Sequence, residues 1–243
     1  MNDIYLYPEV PVLKNKLGIR DEKILDIVEA EQSVANMALL YDLGFSDFTN
    51  RGICHIHKTL FGDVYDWAGQ YRAINIKKRE AILAGKSVWY SNAEDIERDL
   101  NRAWKVIRHV DWETLDRETF AQKIARTFPA LWQVHPFREG NTRTIVMLMT
   151  FFAEHYGYFF DQELLAASAG YVRNAFVLAS QDEFSEYEHL EKILLDAICT
   201  EPPFCAEQET ENKITEERQE KYKKYHTKGY AAVPHEYRPD SEK

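Results

Sequence analysis

The chain has 243 residues, of which 45% are hydrophobic, enough to bury a substantial core in one or two domains. Its net charge of −10 argues against nucleic acid as the main partner, because neutralising phosphates takes a basic surface. Three cysteines, Cys54, Cys199 and Cys205, suit a reducing cytoplasm rather than a disulfide framework, and Met1 to Tyr7 has neither the basic segment nor the apolar run of a signal peptide.

Taken in chain order, the apolar positions repeat at helical spacing. Ile24, Leu25, Ile27, Val28, Val34, Met37, Leu40 and Tyr41 outline a long first helix, ended by Gly44. Cys54, His55 and His57 follow on a second helix; adjacent residues there point in different directions and no fourth ligand is near, so the reading is structural rather than metal-binding. Tyr71 to Ile76 and Ser87 to Tyr90 read as two strands of a small β-hairpin joined through Gly85. Lys77, Lys78 and Arg79 at its tip offer either an anion contact or, the reading favoured, a solvated loop.

Asn92 is a candidate N-cap for a helix carrying Ile96, Leu100, Trp104 and Ile107. From Thr119, the set Phe120, Ile124, Phe128, Leu131 and Trp132 marks another helix, which Pro129 should bend. After a short loop comes a run with apolar residues on nearly every face, Ile145 to Phe152, expected of a central helix. The stretch Ile145 to Ala153 is too short to span a bilayer, so no membrane partner is expected. Two further helices are expected near Gln162 to Ala179 and Phe184 to Ile198. Beyond Glu201 the chain is rich in Lys and Glu and reads as a solvated helix or mobile tail.

Chemistry concentrates in the loop before the central helix, His135-Pro136-Phe137-Arg138-Glu139-Gly140-Asn141-Thr142-Arg143. Glycine at such a turn lets successive backbone N–H groups converge on an anion, and the following helix points its positive end at the same place. Glu139 supplies a hard oxygen of the kind Mg²⁺ takes, and Arg143 can fork onto phosphate oxygens. His135, with an ordinary pKa of about 6.5, is neutral enough at pH 7 to accept a proton from an attacking hydroxyl. Each residue taken singly also fits ordinary loop chemistry. The four complementary chemical types at one helix N-terminus are what favour phosphate chemistry.

This run resembles the signature of the Fic (filamentation) family, His-x-Phe-x-Asp/Glu-Gly-Asn-x-Arg-x-x-Arg. The opening Tyr5-Leu6-Tyr7-Pro8 and Val12 to Ile19 are similar to bacterial members of the toxin type, as are His57 to Phe61 and Tyr65 to Arg72. The resemblance implies an all-α helical bundle with a β-hairpin flap over residues 1–200, the charged tail of 201–243 standing apart. It also implies transfer of AMP from ATP to a Ser, Thr or Tyr hydroxyl of a target protein, with Mg²⁺ as cofactor. His135 would be the general base and Glu139 the metal ligand. Gly140, Asn141, Thr142 and Arg143 would hold the nucleotide phosphates, with Phe137 anchoring the loop. Ser87, Val88 and Tyr90 of the flap would present the target, whose extended segment adds as a strand.

One position departs from the pattern. Val146 stands where the family has a second arginine, which leaves open weaker ATP binding or a different nucleotide. Transfer of UMP or of a terminal phosphate, or a non-catalytic binding role, remain the alternatives. The inhibitory pattern Ser/Thr-x-x-x-Glu-Gly/Asn is absent: Thr114 and Glu118, or Thr150 and Glu154, lack the final residue. Restraint then falls to a small inhibitory antitoxin protein, or there is none of this kind.

Overall fold

A computed structural model describes residues 3–202, 220, 221 and 223–225. Among them lie α1 (Glu22–Leu43), α2 (Asn50–Phe61), α3 (Ile96–Arg108), α4 (Arg117–Val134), α5 (Asn141–His155), α6 (Gln162–Ala167), α7 (Ala169–Ala179) and α8 (Glu188–Ala197), and residues 220, 221 and 223–225 are also helical. The two-residue strands β1 (Phe159–Phe160) and β2 (Ile198–Cys199) pair antiparallel, Phe159 opposite Cys199. The expected all-α architecture is therefore present, and its small sheet is formed by β1 and β2. No helix of the described residues is long and apolar enough to cross a membrane.

The helix boundaries follow local chemistry. Asp21 caps α1 by accepting from the Ile24 N–H at 3.1 Å, and Gly44 ends it at φ 68°. Asp116 caps α4 through the Thr119 N–H at 2.8 Å, so that helix starts two residues before the expected Thr119. Asn92 precedes a 3₁₀ turn, Ala93–Asp95, before α3 begins. The single helix expected over Gln162 to Ala179 is two, because the chain leaves helical geometry at Ser168 (φ −106°, ψ 21°). Asp182, at φ 52°, opens a 3₁₀ turn and delays α8 to Glu188.

α5 is central, as its apolar run requires: Ile145, Leu148, Met149 and Ala153 are buried. It packs against α2 and α4, and α4 in turn meets α3, α7 and α8. α1 differs from the expected apolar face. Its buried series is Leu25, Glu29, Ser33, Asn36 and Leu40, while Ile24, Ile27 and Val34 are more than half exposed. The inward face thus carries polar groups that serve the site described below.

The flap also differs from expectation. Neither Tyr71 to Ile76 nor Ser87 to Tyr90 forms a ladder; the first bends at Ala73 and Ile74, and the 3₁₀ turn Ala81–Leu83 lies between the two. Beyond the bond from the Glu80 N–H to the Lys86 carbonyl (2.9 Å), side chains hold the segments together. The Lys78 N–H donates to Ser87 Oγ (3.2 Å), and Arg72, only 2% exposed, donates to the carbonyls of Ile74 (2.7 Å), His135 (2.9 Å), Val134 (3.5 Å) and Ser91. Burial lowers the Arg72 guanidinium to about 10, and its carbonyl partners keep it tolerable. In the charged tail, Tyr225 is buried edge-on against Tyr171 and donates to Asp196 Oδ2 at 2.6 Å. Residues 203–219 and 226–243, most of the expected solvated tail, lie outside the described residues.

Arg72→Met keeps the side-chain bulk but strips a donor from each of these carbonyls. It should cost about 3 kcal/mol or more in urea unfolding, since each buried carbonyl left unpaired costs roughly 1–3 kcal/mol. A loss under about 1 kcal/mol would show that these bonds do not fix the flap.

Candidate active site

The loop from α4 to α5 makes two left-handed turns, at His135 (φ 51°) and at Gly140 (φ 79°). Asn141 holds the span between them: its Oδ1 accepts from the Phe137 N–H and its Nδ2 donates to the Phe137 carbonyl, both at 2.9 Å. A Cβ at Gly140 would stand 2.4 Å from the Phe61 ring, so no side chain fits there even apart from the backbone angle. Phe137 is fully buried and stacks on His57 at 3.8 Å. His57 Nδ1 accepts from the Gly69 N–H (2.8 Å), so the proton sits on Nε2, which donates to the Glu139 carbonyl (3.0 Å). Burial lowers the His57 pKa to about 3, keeping it neutral. Both His57 ring nitrogens are thus engaged within the protein, and Phe137 is held in the core against them.

His135 is 2% exposed, with Tyr90 stacked on it at 4.1 Å and Trp132 edge-on at 5.1 Å. Nδ1 lies 3.3 Å from the Trp132 carbonyl, which can only accept. Nδ1 therefore carries the proton, and Nε2 keeps its lone pair. That Nε2 is buried and has no hydrogen-bond partner among the described residues. Burial first, and then the Lys78 ammonium, push the imidazole well below its ordinary pKa, with Glu139 opposing.

Glu139 Oε1 accepts from the Gly140 N–H (3.1 Å), and Oε2 meets Lys78 Nζ at 3.3 Å. α5 then opens at Asn141 without a side-chain cap, so its first N–H groups depend on other partners. Thr142 Oγ1 accepts from Trp132 Nε1 at 2.9 Å, which ties the start of α5 to α4. Arg143 reaches α1, pairing with Glu29 and donating to Ser33 Oγ (3.0 Å), its guanidinium 4.6 Å above Phe61. Glu29 also accepts from the Tyr65 hydroxyl.

The expected residues His135, Glu139, Gly140, Asn141, Thr142 and Arg143 are thus gathered at one helix end, with Tyr90 over the imidazole. Of the other flap residues, Val88 is buried and Ser87 donates to the Val88 carbonyl at 2.8 Å, while Trp89 between Val88 and Tyr90 is 80% exposed. Sequence reasoning missed Glu29, Arg72 and the inward turn of Lys78. A signal existed for the first, since Glu29 stands at i, i+4 spacing between Leu25 and Ser33 on one helix face.

Residues 47–153 match the model of the Fic/DOC family. Protein adenylyltransferase VbhT of Bartonella schoenbuchensis is 34% identical over 177 residues, covering 69% of this chain and 35% of that protein, so the match spans about a third of VbhT's length. The Probable protein adenylyltransferase y4lH of Sinorhizobium fredii is 32% identical over 167 residues, covering 68% of this chain and 82% of that protein. The BepC effector of Bartonella tribocorum, solved with bound AMPPNP, has the same fold at a TM-score of 0.70 and 23% identity, covering 82% of this chain and 97% of that one. A signature held at a buried helix end, a matched family model and a relative spanned over most of its length give one answer: this chain belongs to the Fic/DOC family.

Proposed function

We propose that the protein transfers AMP from ATP to a hydroxyl of a target protein. The observation that carries this reading is the buried His135 imidazole, neutral, with its Nε2 lone pair unused, beside a helix N-terminus without a side-chain cap and the carboxylate of Glu139. The target oxygen attacks the α-phosphorus and gives its proton to Nε2. The bond between the α-phosphorus and the bridging oxygen to the β-phosphate breaks, and diphosphate leaves. The first N–H groups of α5, in Asn141 and Thr142, and the guanidinium of Arg143 hold the phosphates. Phe137 keeps the loop still, so these donors need no rearrangement as charge shifts.

Among the described residues no group of three or more His, Cys, Asp or Glu could hold a metal ion. One carboxylate facing a cation nonetheless suits Mg²⁺, which binds through one or two carboxylates plus substrate phosphates. Glu139 would hold it. When bound, that ion offsets the charge gathering on the leaving diphosphate.

The flap backbone at Ser87, Val88 and Tyr90 would take the target as an added strand. Tyr90 must then slide off His135 for the hydroxyl to reach Nε2. We assign residues 1–200 to the catalytic unit. The chain works in the cytoplasm as the toxin half of a pair, restrained by a small antitoxin, a reading supported by its few cysteines and the missing inhibitory pattern.

His135→Asn is the direct test, because asparagine tolerates the left-handed backbone there. With ATP labelled at the α-phosphate and a cell lysate as acceptor, labelling of protein should fall at least 100-fold, consistent with loss of a general base. Label retained only when the γ-phosphate carries it would overturn AMP transfer. The same variant reports on pH. His135 has a folded pKa below its unfolded one, so the unfolded chain binds the extra proton, and stability is intact above about pH 6.5 and lost as pH falls below it. Between pH 6.5 and 5 the limiting slope is about 1.4 kcal/mol per unit for each buried neutral histidine. Of this, His135→Asn should remove one proton's share and leave that of His57. An unchanged slope would show that His135 titrates in the folded protein.

A further inference from the structure

The ammonium of Lys78 lies inside the site, while its neighbours Lys77 and Arg79 are exposed. Its side chain is 12% exposed, and its contact with Glu139 is single and long, at 3.3 Å. The backbone that carries it is pinned. The Lys78 N–H donates to Ser87 Oγ, and two residues on, the buried Glu80 carboxylate is gripped by Arg173 (2.8 and 2.9 Å) and accepts from the Tyr90 hydroxyl (3.3 Å). Lys78 is therefore delivered to the site by a fixed anchor.

Consider the cations around the motif. Arg138 is bound to Asp3 through two nitrogens (2.9 and 2.8 Å), Arg72 to carbonyls, Arg173 to Glu80, and Arg143 to Glu29 and Ser33. The acids Asp26 and Glu29 crowd the same region, since Arg143 and Glu139 both act on Asp26. A triphosphate brought here meets three carboxylates, and Arg143 is already shared. Lys78 differs from the arginines in that its partner is the one carboxylate a divalent cation would claim. Loading Glu139 in that way releases the ammonium beside the phosphates, and only the lysine side chain has to rotate.

We infer that Lys78 is a phosphate-binding residue of this enzyme, held on Glu139 in the free protein and transferred to the nucleotide's polyphosphate when the nucleotide enters with its metal ion. The inference rests on the nucleotide-transfer reading given above. It also assigns a cation to the polyphosphate in a chain that has Val146 on the helix that opens the site.

Calorimetric titration of the full chain with ATP and with AMP, each with Mg²⁺, tests this without measuring turnover. Lys78→Met removes the charge at nearly constant length, Lys78→Arg keeps it, and Arg79→Gln removes an exposed flap charge as a control. Lys78→Met should weaken ATP binding about tenfold to a hundredfold, the range for a lost hydrogen bond to a charged group, and AMP binding clearly less. Lys78→Arg should recover most of the loss, and Arg79→Gln should stay within about twofold, as for an exposed charge. An unchanged ATP affinity in Lys78→Met, or equal losses for ATP and AMP, would overturn the role of Lys78 while leaving nucleotide binding intact. A wild-type chain that binds ATP no better than background would instead overturn the nucleotide-transfer reading and this inference with it.

Discussion

The double hydrogen bond between the Asn141 side chain and the Phe137 backbone is the constraint on which the site depends. A loop with left-handed turns at both ends has no regular pairing of its own, and its carbonyl and amide groups would otherwise need water. Asn141 closes it from within the first turn of α5, so the loop and the helix move as one body. Phe137 then points into the core against His57, and His57 in turn reaches back to the Glu139 carbonyl. The result is a short closed circuit of contacts in which His135, the Glu139 carboxylate and the helix end have fixed spacing.

Around this circuit the charges are compensated in pairs. Arg143 lies against Glu29, Arg138 against Asp3, Glu139 against Lys78 and Glu80 against Arg173. Buried ions are tolerable only when paired and hydrogen-bonded, and each of these acids or bases reaches a different part of the chain. The proposed nucleotide would thus enter a site built from groups that neutralise one another until it competes for them. The same logic explains the neutral His135, because a second positive charge next to Lys78 in a dry pocket would be unfavourable.

The motif loop was legible in the sequence because its information is local: histidine, carboxylate, glycine and asparagine fall within nine residues, and each demands a particular backbone or partner. The helix ends at Gly44 and the central burial of α5 were legible for the same reason. The flap was not. Ser87 to Tyr90 alternates inward and outward as a strand would, yet its partners are the Lys78 N–H on the Ser87 hydroxyl, the Gln133 amide (3.4 Å to the Trp89 carbonyl) and, one residue on, Arg72 at the Ser91 carbonyl, and no alternation of apolar residues specifies those. Lys78 was read with its exposed neighbours because composition says nothing about which of three basic residues turns inward. The face of α1 was misread for a related reason. Ile24, Ile27 and Val34 outweigh Glu29 in any count of hydrophobicity, while burial of Glu29 follows from an arginine 114 positions later.

The stretch matched by the family model begins at residue 47, whereas the partners of Arg138 and Arg143 sit at Asp3 and Glu29. Excising the recognisable core would leave two guanidinium groups with their counter-ions cut away, one of them almost wholly enclosed. The leading segment is in that sense a built-in electrostatic plug, supplying counter-charges that lie outside the portion the signature delimits.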